Sequence, residues 1–356
     1  MTSQRPLLLV TGGSGFLGGH VVQQALEKGY DVRVTARSEE SARKILSHWP
    51  HHASRLSYAV VPDLTQVESY QHALEDGRVT GVLHLASPFL FDPTDNVKDL
   101  LDPAIRGSTA LLEAARRWGG PSLTRVVATS SFAAVIDDTV ADPRRPGYTY
   151  TEADWNPATY AQAAAASADG PYAYRASKAL AERAMFDWVE AHHRPGISFS
   201  VTTICPPWIY GPYARGNGEE LARTERLSES VRLFAALVDA EAVPPFDFGG
   251  YADVREVAAA HLLALEAPDA AVAGRRFIVG QAFRYQAAVD IAREAFPQEL
   301  RDRLPVGRPG YAEPAYAIDG SRAAEVLGLK YGTLRDAVTD MLGQLLRSGH
   351  VPAVRA

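Results

Sequence analysis

The run Leu7-Leu8-Leu9-Val10, followed at once by Thr11-Gly12-Gly13-Ser14-Gly15-Phe16-Leu17-Gly18, constrains the fold more than any other feature of this 356-residue chain. Four consecutive apolar residues read as a strand buried on both faces, as in a parallel sheet, and are far too few to span a bilayer. The glycines at 12, 15 and 18 fall where that strand turns into a helix. Side chains at the first two would keep a pyrophosphate from the backbone and the positive helix end, and one at the third would hold the helix away. A glycine triplet alone says only that a chain turns tightly. Between a strand and a helix it points to a bound dinucleotide.

Short apolar runs continue to alternate with helical patterns through the first half. The sequence predicts strands at Asp31 to Thr35, Leu56 to Val61, Gly81 to Leu85 and Arg125 to Thr129, and a first helix from Gly15 to Lys28 with Val21, Val22, Ala25 and Leu26 on one face. Strands separated by helices pair in parallel, so the expected class is α/β, a Rossmann-type doubly wound parallel sheet. Further on, Ser198 to Ile204 and Arg276 to Val279 read as strands and Val254 to Leu265 as an apolar-faced helix. Proline- and glycine-rich stretches lie around them, including Pro206-Pro207, Pro244-Pro245 and Pro305 to Gly310. The expected organisation is a dinucleotide-binding domain over 1–195, rejoined by segments near 198–210 and 245–280. A smaller, discontinuous C-terminal substrate lobe is expected near 211–244 and 281–356.

The formal charge of −6 comes in no blocks of one sign, so neither nucleic acid nor an anionic membrane is an expected partner. Cys205 is the only cysteine, which excludes an internal disulfide framework and suits a cytoplasmic location. His51-His52 and His192-His193 lie in polar stretches and read as solvated, so no metal is expected. The alanine run Ala163 to Ala166 reads as a surface helix or insertion.

Tyr174-Arg175-Ala176-Ser177-Lys178 puts a phenol and an ammonium four residues apart at the start of a helical stretch, hence on one face. Tyr172, the nearest rival, has Ala176 at that spacing. A nearby cation favours phenolate and is expected to bring the Tyr174 pKa down from about 10. A carbonyl that accepts hydride gains negative charge on oxygen, and a phenol able to give up its proton answers that need. Thr129-Ser130-Ser131 closes the strand Arg125 to Thr129, on the edge where open α/β sheets bind ligands. Ser131, with Ser130 in reserve, is therefore the candidate hydroxyl for the same oxygen. The second strand ends in Arg37, where NAD-selective folds commonly place an acid about 20 positions after the glycines. A guanidinium there can hold a 2'-phosphate, which favours NADP(H). Asp63, after the third strand, suits either an adenine amino group or an ordinary turn.

With glycines, Ser-Ser and Tyr-x-x-x-Lys in that order, the chain resembles the extended short-chain dehydrogenase/reductases over nearly its full length. The likeness is to the dihydroflavonol-reductase-like branch, in particular its NADPH-dependent methylglyoxal (3-methylbutanal) reductase group. Stretches that carry it include Ala36-Arg37-Ser38, Val60 to Leu64, His84 to Asp92, Thr129 to Val135, Trp155 to Thr159 and Gly249 to Val254. The resemblance implies reduction of a small carbonyl substrate, an aldehyde, ketone or keto ester, with Ser131, Tyr174 and Lys178 as the catalytic set and Arg37 on the 2'-phosphate. It also implies cofactor contacts from Thr11, Gly12, Gly15, Phe16, Leu17, Gly18, Asp63, Leu64, Ala86, Ser87, Lys178, Pro206 and Ile209. Phe89, Phe132, Ile136, Trp208 and Tyr213 are candidates to shape the substrate pocket. Ser41 departs from a lysine that relatives often carry, leaving Arg43 or Lys44 to assist, and Ala104 departs from an asparagine, which leaves the identity of any fourth catalytic group open. Monomer and homodimer are both left open. The rival readings are a sugar-nucleotide epimerase or dehydratase, which Arg37 opposes, and a non-catalytic NADP(H) sensor, which would need no proton donor.

Overall fold

The computed structural model describes residues 5–87, 93–137, 139–192, 196–214 and 227–351. Its first part runs β1 (Leu7–Thr11), α1 (Phe16–Glu27), β2 (Asp31–Ala36), α2 (Glu39–Ser47), β3 (Leu56–Val60), α3 (Gln71–Leu74), β4 (Val79–His84), α4 (Asp102–Trp118) and β5 (Arg125–Thr129). Then come β6 (Thr149–Tyr150), α5 (Tyr160–Ala164), α6 (Gly170–Ala191), β7 (Ser200–Cys205), β8 (Trp208–Tyr210), α7 (Glu229–Ala235), β9 (Gly250–Asp253), α8 (Val254–Glu266), α9 (Asp269–Val272) and β10 (Arg276–Ile278). The chain ends with β11 (Gln281–Ala282), α10 (Tyr285–Ala295), α11 (Gln298–Arg301), β12 (Ala317–Ile318), α12 (Ser321–Leu327) and α13 (Leu334–Arg347).

Seven strands form one parallel sheet in the order β10-β7-β5-β4-β1-β2-β3. From β1 the chain steps outward to β2 and β3, then returns to β4 on the other side of β1 and continues to β5, β7 and β10. This reversal opens a crevice at the carboxyl ends of β1 and β4, where open α/β sheets hold ligands. Period-two alternation divides the side chains of β1 between two layers. Leu8 and Val10 share a core with Val21, Val22, Val257 and Ala258 of α1 and α8, whereas Leu7 and Leu9 share one with Leu111, Leu112 and Met185 of α4 and α6. The apolar face read for the first helix is fully buried, and the helix stops where Gly29 takes φ +94°, the left-handed conformation that closes a helix end.

A second core joins Val231 and Phe234 of α7, Ala288 and Val289 of α10, and Met341 and Leu342 of α13. Here the structure departs from the sequence reading in three places. Residues 208–210 and 250–253 lie outside the large sheet, as β8 and β9 of a small sheet ordered β11-β9-β8. Pro206-Pro207 ends β7, because proline offers no N–H to continue the ladder. α12 sends Ala323 and Leu327 into the core of the large sheet rather than that of the C-terminal lobe. The alanine run straddles the end of α5, a helix started by a capping box between Thr159 and Gln162, and Ala163 is fully buried in a core with Leu101 and Ala176.

α6 carries a carboxylate into the sheet. Glu182, 1% exposed, accepts hydrogen bonds from Arg276 of β10 at 3.0 and 2.9 Å and from Ser130 at 2.8 Å, and meets the Thr203 hydroxyl and Cys205 thiol of β7. Removing one partner of such a buried pair strands the other charge without compensation. Arg276→Met is expected to lower the unfolding free energy by about 3–5 kcal/mol. Adding Glu182→Gln should restore part of the loss, and urea unfolding followed by circular dichroism checks both. An unaltered midpoint in the single variant would show that the pair does not hold α6 in place.

Candidate active site

The crevice between β1 and β4 takes its shape from the glycine turn. Gly12 has φ +72°, and a Cβ there would lie 2.9 Å from the Ala86 nitrogen just past β4. A Cβ at Gly18 would lie 2.0 Å from the Gly12 oxygen. Both glycines are therefore demanded by the protein's own backbone. At Gly15 a Cβ meets only the Gly12 oxygen, at 3.3 Å, and the residue borders the central cavity. Gly15 is also the N-cap of α1, and no side chain closes that helix end, so first-turn N–H groups are available to an anion. This cradle fits the pyrophosphate of a dinucleotide.

Thr11 serves the crevice from behind. Its hydroxyl oxygen accepts from the N–H groups of Leu85 and Ala86, at 3.0 Å each, and bonds His84 Nδ1 at 2.8 Å. The side chain is 1% exposed, so it locks β1 to the end of β4. Burial, aided by the Lys178 charge, brings His84 down to about 4, which keeps the ring neutral within this lock.

The two serines after β5 diverge. Ser130 turns inward to Glu182, whereas Ser131 caps the short 3-10 turn Phe132–Ala134, accepts from Ala133 N–H at 3.1 Å and pulls the Tyr174 phenol down. Both serines border the cavity, and the Ser130 hydroxyl is committed to Glu182. Asp169 caps α6 by accepting from the Tyr172 N–H at 2.7 Å, and Tyr174 and Lys178 follow within its first turns. Lys178 Nζ donates to Ser87 Oγ at 2.7 Å and lies 5.6 Å from the centroid of the Tyr174 ring. The phenol moves opposite to the sequence expectation. Burial pushes Tyr174 up, against the pull of Ser131, and the same burial brings Lys178 down to about 8. Spacing alone counts the attraction of the cation, whereas desolvation penalises the charged form of both groups. The site thus holds a protonated phenol at neutral pH, which is the form that donates.

Ser131, Tyr174, Lys178 and the glycine turn border one cavity of about 740 Å³. Residues 8–280 match the NAD dependent epimerase/dehydratase family. The chain belongs to this family. It is 34% identical to the NADPH-dependent methylglyoxal reductase of Saccharomyces cerevisiae over 349 residues, 96% of this chain and 98% of that protein. It is 35% identical to a ketoreductase of Aspergillus niger over 355 residues, 97% of this chain and 100% of that protein. The crystal structure of yeast methylglyoxal/isovaleraldehyde reductase complexed with NADPH superposes with a TM-score of 0.86 at 31% identity, covering 97% of this chain and 99% of that one.

In this family member Phe16, Leu17, Ser87, Pro206, Trp208, Ile209 and Tyr213 all border the cavity. Phe132 and Ile136 do not. Phe132 is fully buried, 5.5 Å from the Tyr150 ring and 5.4 Å from the Phe248 ring, in a core shared with Ile136 and Tyr316. Phe132 opens the turn that Ser131 caps, and Ile136 follows it into the same core. Phe89 lies outside the described residues. Thr11, Asp63, Leu64 and Ala86 do not border this cavity either. Asp63 accepts from the Thr65 N–H and hydroxyl at 2.8 and 2.7 Å, the turn role, and Leu64 fills the space above Gly107, where a Cβ would lie 2.2 Å from its Cδ1. The Ala86 N–H is held by Thr11. Arg37 stands exposed just after β2, with no ion pair among the described residues, whereas Arg43 pairs with Glu39 at 3.2 Å. Ala104 is buried on α4, and its carbonyl accepts the Ser108 hydroxyl at 2.9 Å.

Sequence reasoning gave no role to Asn156, Glu182 or Arg276, which brace the site from within. Asn156 donates from Nδ2 to Ala133 O at 3.1 Å and from its backbone N–H to Ala134 O at 3.0 Å, pinning the turn after Ser131. Arg276 stacks on the neighbouring Trp155, 3.5 Å from the ring centroid. The visible signal was the Trp155-Asn156-Pro157 run, but its partners are distant in sequence. The glycines supply a direct test. Gly15→Ala is expected to keep the melting temperature and weaken NADPH binding about tenfold, roughly 1.4 kcal/mol, because its methyl intrudes only on the cavity side. Gly18→Ala should lower both. Thermal unfolding beside a fluorescence titration with NADPH separates the two, and equal destabilisation would mean that Gly15 also serves packing.

Proposed function

We propose that this chain reduces aldehydes, ketones or keto esters to alcohols with NADPH, Tyr174 giving a proton to the carbonyl oxygen. The observation that carries this reading is that Ser131 and Tyr174, with Lys178 one turn further along α6, line the wall of a cavity shared with the glycine turn. NADPH, when bound, supplies hydride to the carbonyl carbon. Ser131 and Tyr174 offer O–H donors to an oxygen whose negative charge grows, so their bonds strengthen toward the transition state. Burial keeps Tyr174 protonated until the nascent alkoxide takes its proton. The Lys178 ammonium, steadied by Ser87, then offsets the cost of a buried phenolate. Relatives named as a methylglyoxal reductase and a ketoreductase support carbonyl compounds as the substrate class. The apolar wall of Trp208, Ile209, Tyr213, Leu227 and Phe248 suits them.

Arg37 is the 2'-phosphate ligand in this reading, and the segments near 211–244 and 281–356 supply the substrate side. A cytoplasmic monomer or homodimer belongs to the same proposal. Among the described residues no helix is long and apolar enough to cross a membrane.

Tyr174→Phe is expected to cut kcat by at least about 100-fold, the lower range for a positioned acid, with NADPH affinity retained. Tyr172→Phe, which removes a phenol two residues away, should stay active. NADPH consumption and fluorescence titration on both variants check this, and a Tyr174→Phe enzyme with wild-type turnover overturns the role. Arg37→Ala should raise the KM for NADPH about 10- to 100-fold, as expected from losing a charge-assisted hydrogen bond, and leave NADH nearly unchanged. An equal loss with the two cofactors, measured side by side, would dismiss the 2'-phosphate contact.

A further inference from the structure

Asp247 borders the same cavity as Ser131 and Tyr174, on the wall contributed by the segment before β9. It is exposed, opening onto the cavity, yet enough protein surrounds it to push its carboxyl up against the pull of its donors. Those donors hold it still. The Tyr285 hydroxyl donates to Oδ2 at 2.9 Å and the Phe248 N–H donates to Oδ1. Among the described residues no lysine or arginine pairs with it. Arg284, with which it shares a second cavity of about 320 Å³, spends its donors on the carbonyls of Gly249, Phe283, Glu313 and Tyr316. The other described carboxylate on the active cavity, Glu229, is matched by Arg232 at 3.0 Å, and the described cations there, Arg175 and Lys178, belong to α6. Trp208 and Phe248, with ring centroids 5.9 Å apart, also border the cavity beside Asp247.

A fixed carboxylate that no described cation pairs with, next to two aromatic rings, has the make-up of a site for an organic cation, which gains Coulomb attraction and cation–π contact together. We propose that Asp247, with Trp208 and Phe248, forms a subsite for the positively charged end of an amine-bearing carbonyl substrate, and that it disfavours substrates ending in a carboxylate. The inference rests on the carbonyl-reductase reading and names its substrate class. A neutral hydrophobic ketone would still enter, but without this anchor.

The test uses three ketones that differ only at the end remote from the carbonyl: 4-acetyl-N,N,N-trimethylanilinium, its neutral isostere 4-tert-butylacetophenone, and 4-acetylbenzoate. Their kcat/KM values are measured with NADPH at pH 7 for the full chain, Asp247→Asn and Asp247→Glu. The quantity read is the ratio of cation to neutral isostere within each variant, so a general loss of activity cancels. The ratio in the unmodified chain should exceed that in Asp247→Asn about tenfold, between the effects of an exposed and a buried charge pair, and comparing variants cancels the pull of the ammonium group on the carbonyl itself. Asp247→Glu should restore part of the difference, and 4-acetylbenzoate should gain on the neutral isostere in Asp247→Asn. A ratio that Asp247→Asn leaves unchanged overturns the subsite and leaves the reductase reading standing. No consumption of NADPH with any of the three overturns both.

Discussion

Tyr174, Lys178 and Glu182 follow one another at four-residue spacing along α6, so the face that presents a phenol and an ammonium to the cavity also drives a carboxylate into the sheet. Glu182 is met there by the Arg276 guanidinium and by the hydroxyls of Ser130 and Thr203. Ser130 precedes Ser131, and thus one carboxylate seats both the helix that carries Tyr174 and the strand end that carries Ser131. An apolar contact would hold α6 down without setting its register. A charge taken out of water can be satisfied only in specific directions, and any slip leaves donors or oxygens unpaired at high cost. Trp155 and Asn156 extend the brace, one stacked under Arg276 and the other pinning the turn that begins at Ser131.

The same exclusion of water sets the chemistry. Desolvation raises the phenol of Tyr174 and lowers the ammonium of Lys178, because in each case it opposes the charged form. A protonated tyrosine beside a lysine brought to about 8 is suited to giving a proton to a nascent alkoxide, and less suited to waiting as phenolate. His84, also held neutral by burial, secures the Thr11 lock behind the glycine turn without adding charge to the site. The glycine turn and the Tyr174–Lys178 pair therefore border one cavity.

Much of this could be read from the chain because the relevant interactions are local. Strand–glycine–helix geometry concerns contiguous residues, and the positive φ of Gly12 and the close approach at Gly18 follow from that single turn. The spacing of Tyr174 and Lys178 is a property of any helix, and alternating apolar runs with intervening helices leave a parallel sheet as the natural solution. The direction of the Tyr174 shift was misread for a related reason: spacing reveals a neighbouring cation, but the amount of protein around both groups is a sum over distant segments.

The substrate wall shows where local reading ends. Phe132 and Ile136 follow Ser131 closely in sequence, yet the turn it caps folds them into a core with Tyr150 and Tyr316. Asp247 and Phe248 come to the cavity because β9 pairs with β8 outside the large sheet, which no periodicity in the chain announces. Ser130 and Ser131 are chemically identical, and only the position of Glu182 on a later helix separates them. The sequence by itself determined the nucleotide-binding turn, the sheet and the paired tyrosine and lysine, since backbone geometry and helical spacing act between near neighbours. Tertiary structure alone decided where each serine hydroxyl turns, how burial shifts the phenol and which side chains line the cavity, because those outcomes are set by contacts between segments that meet only when the chain is folded.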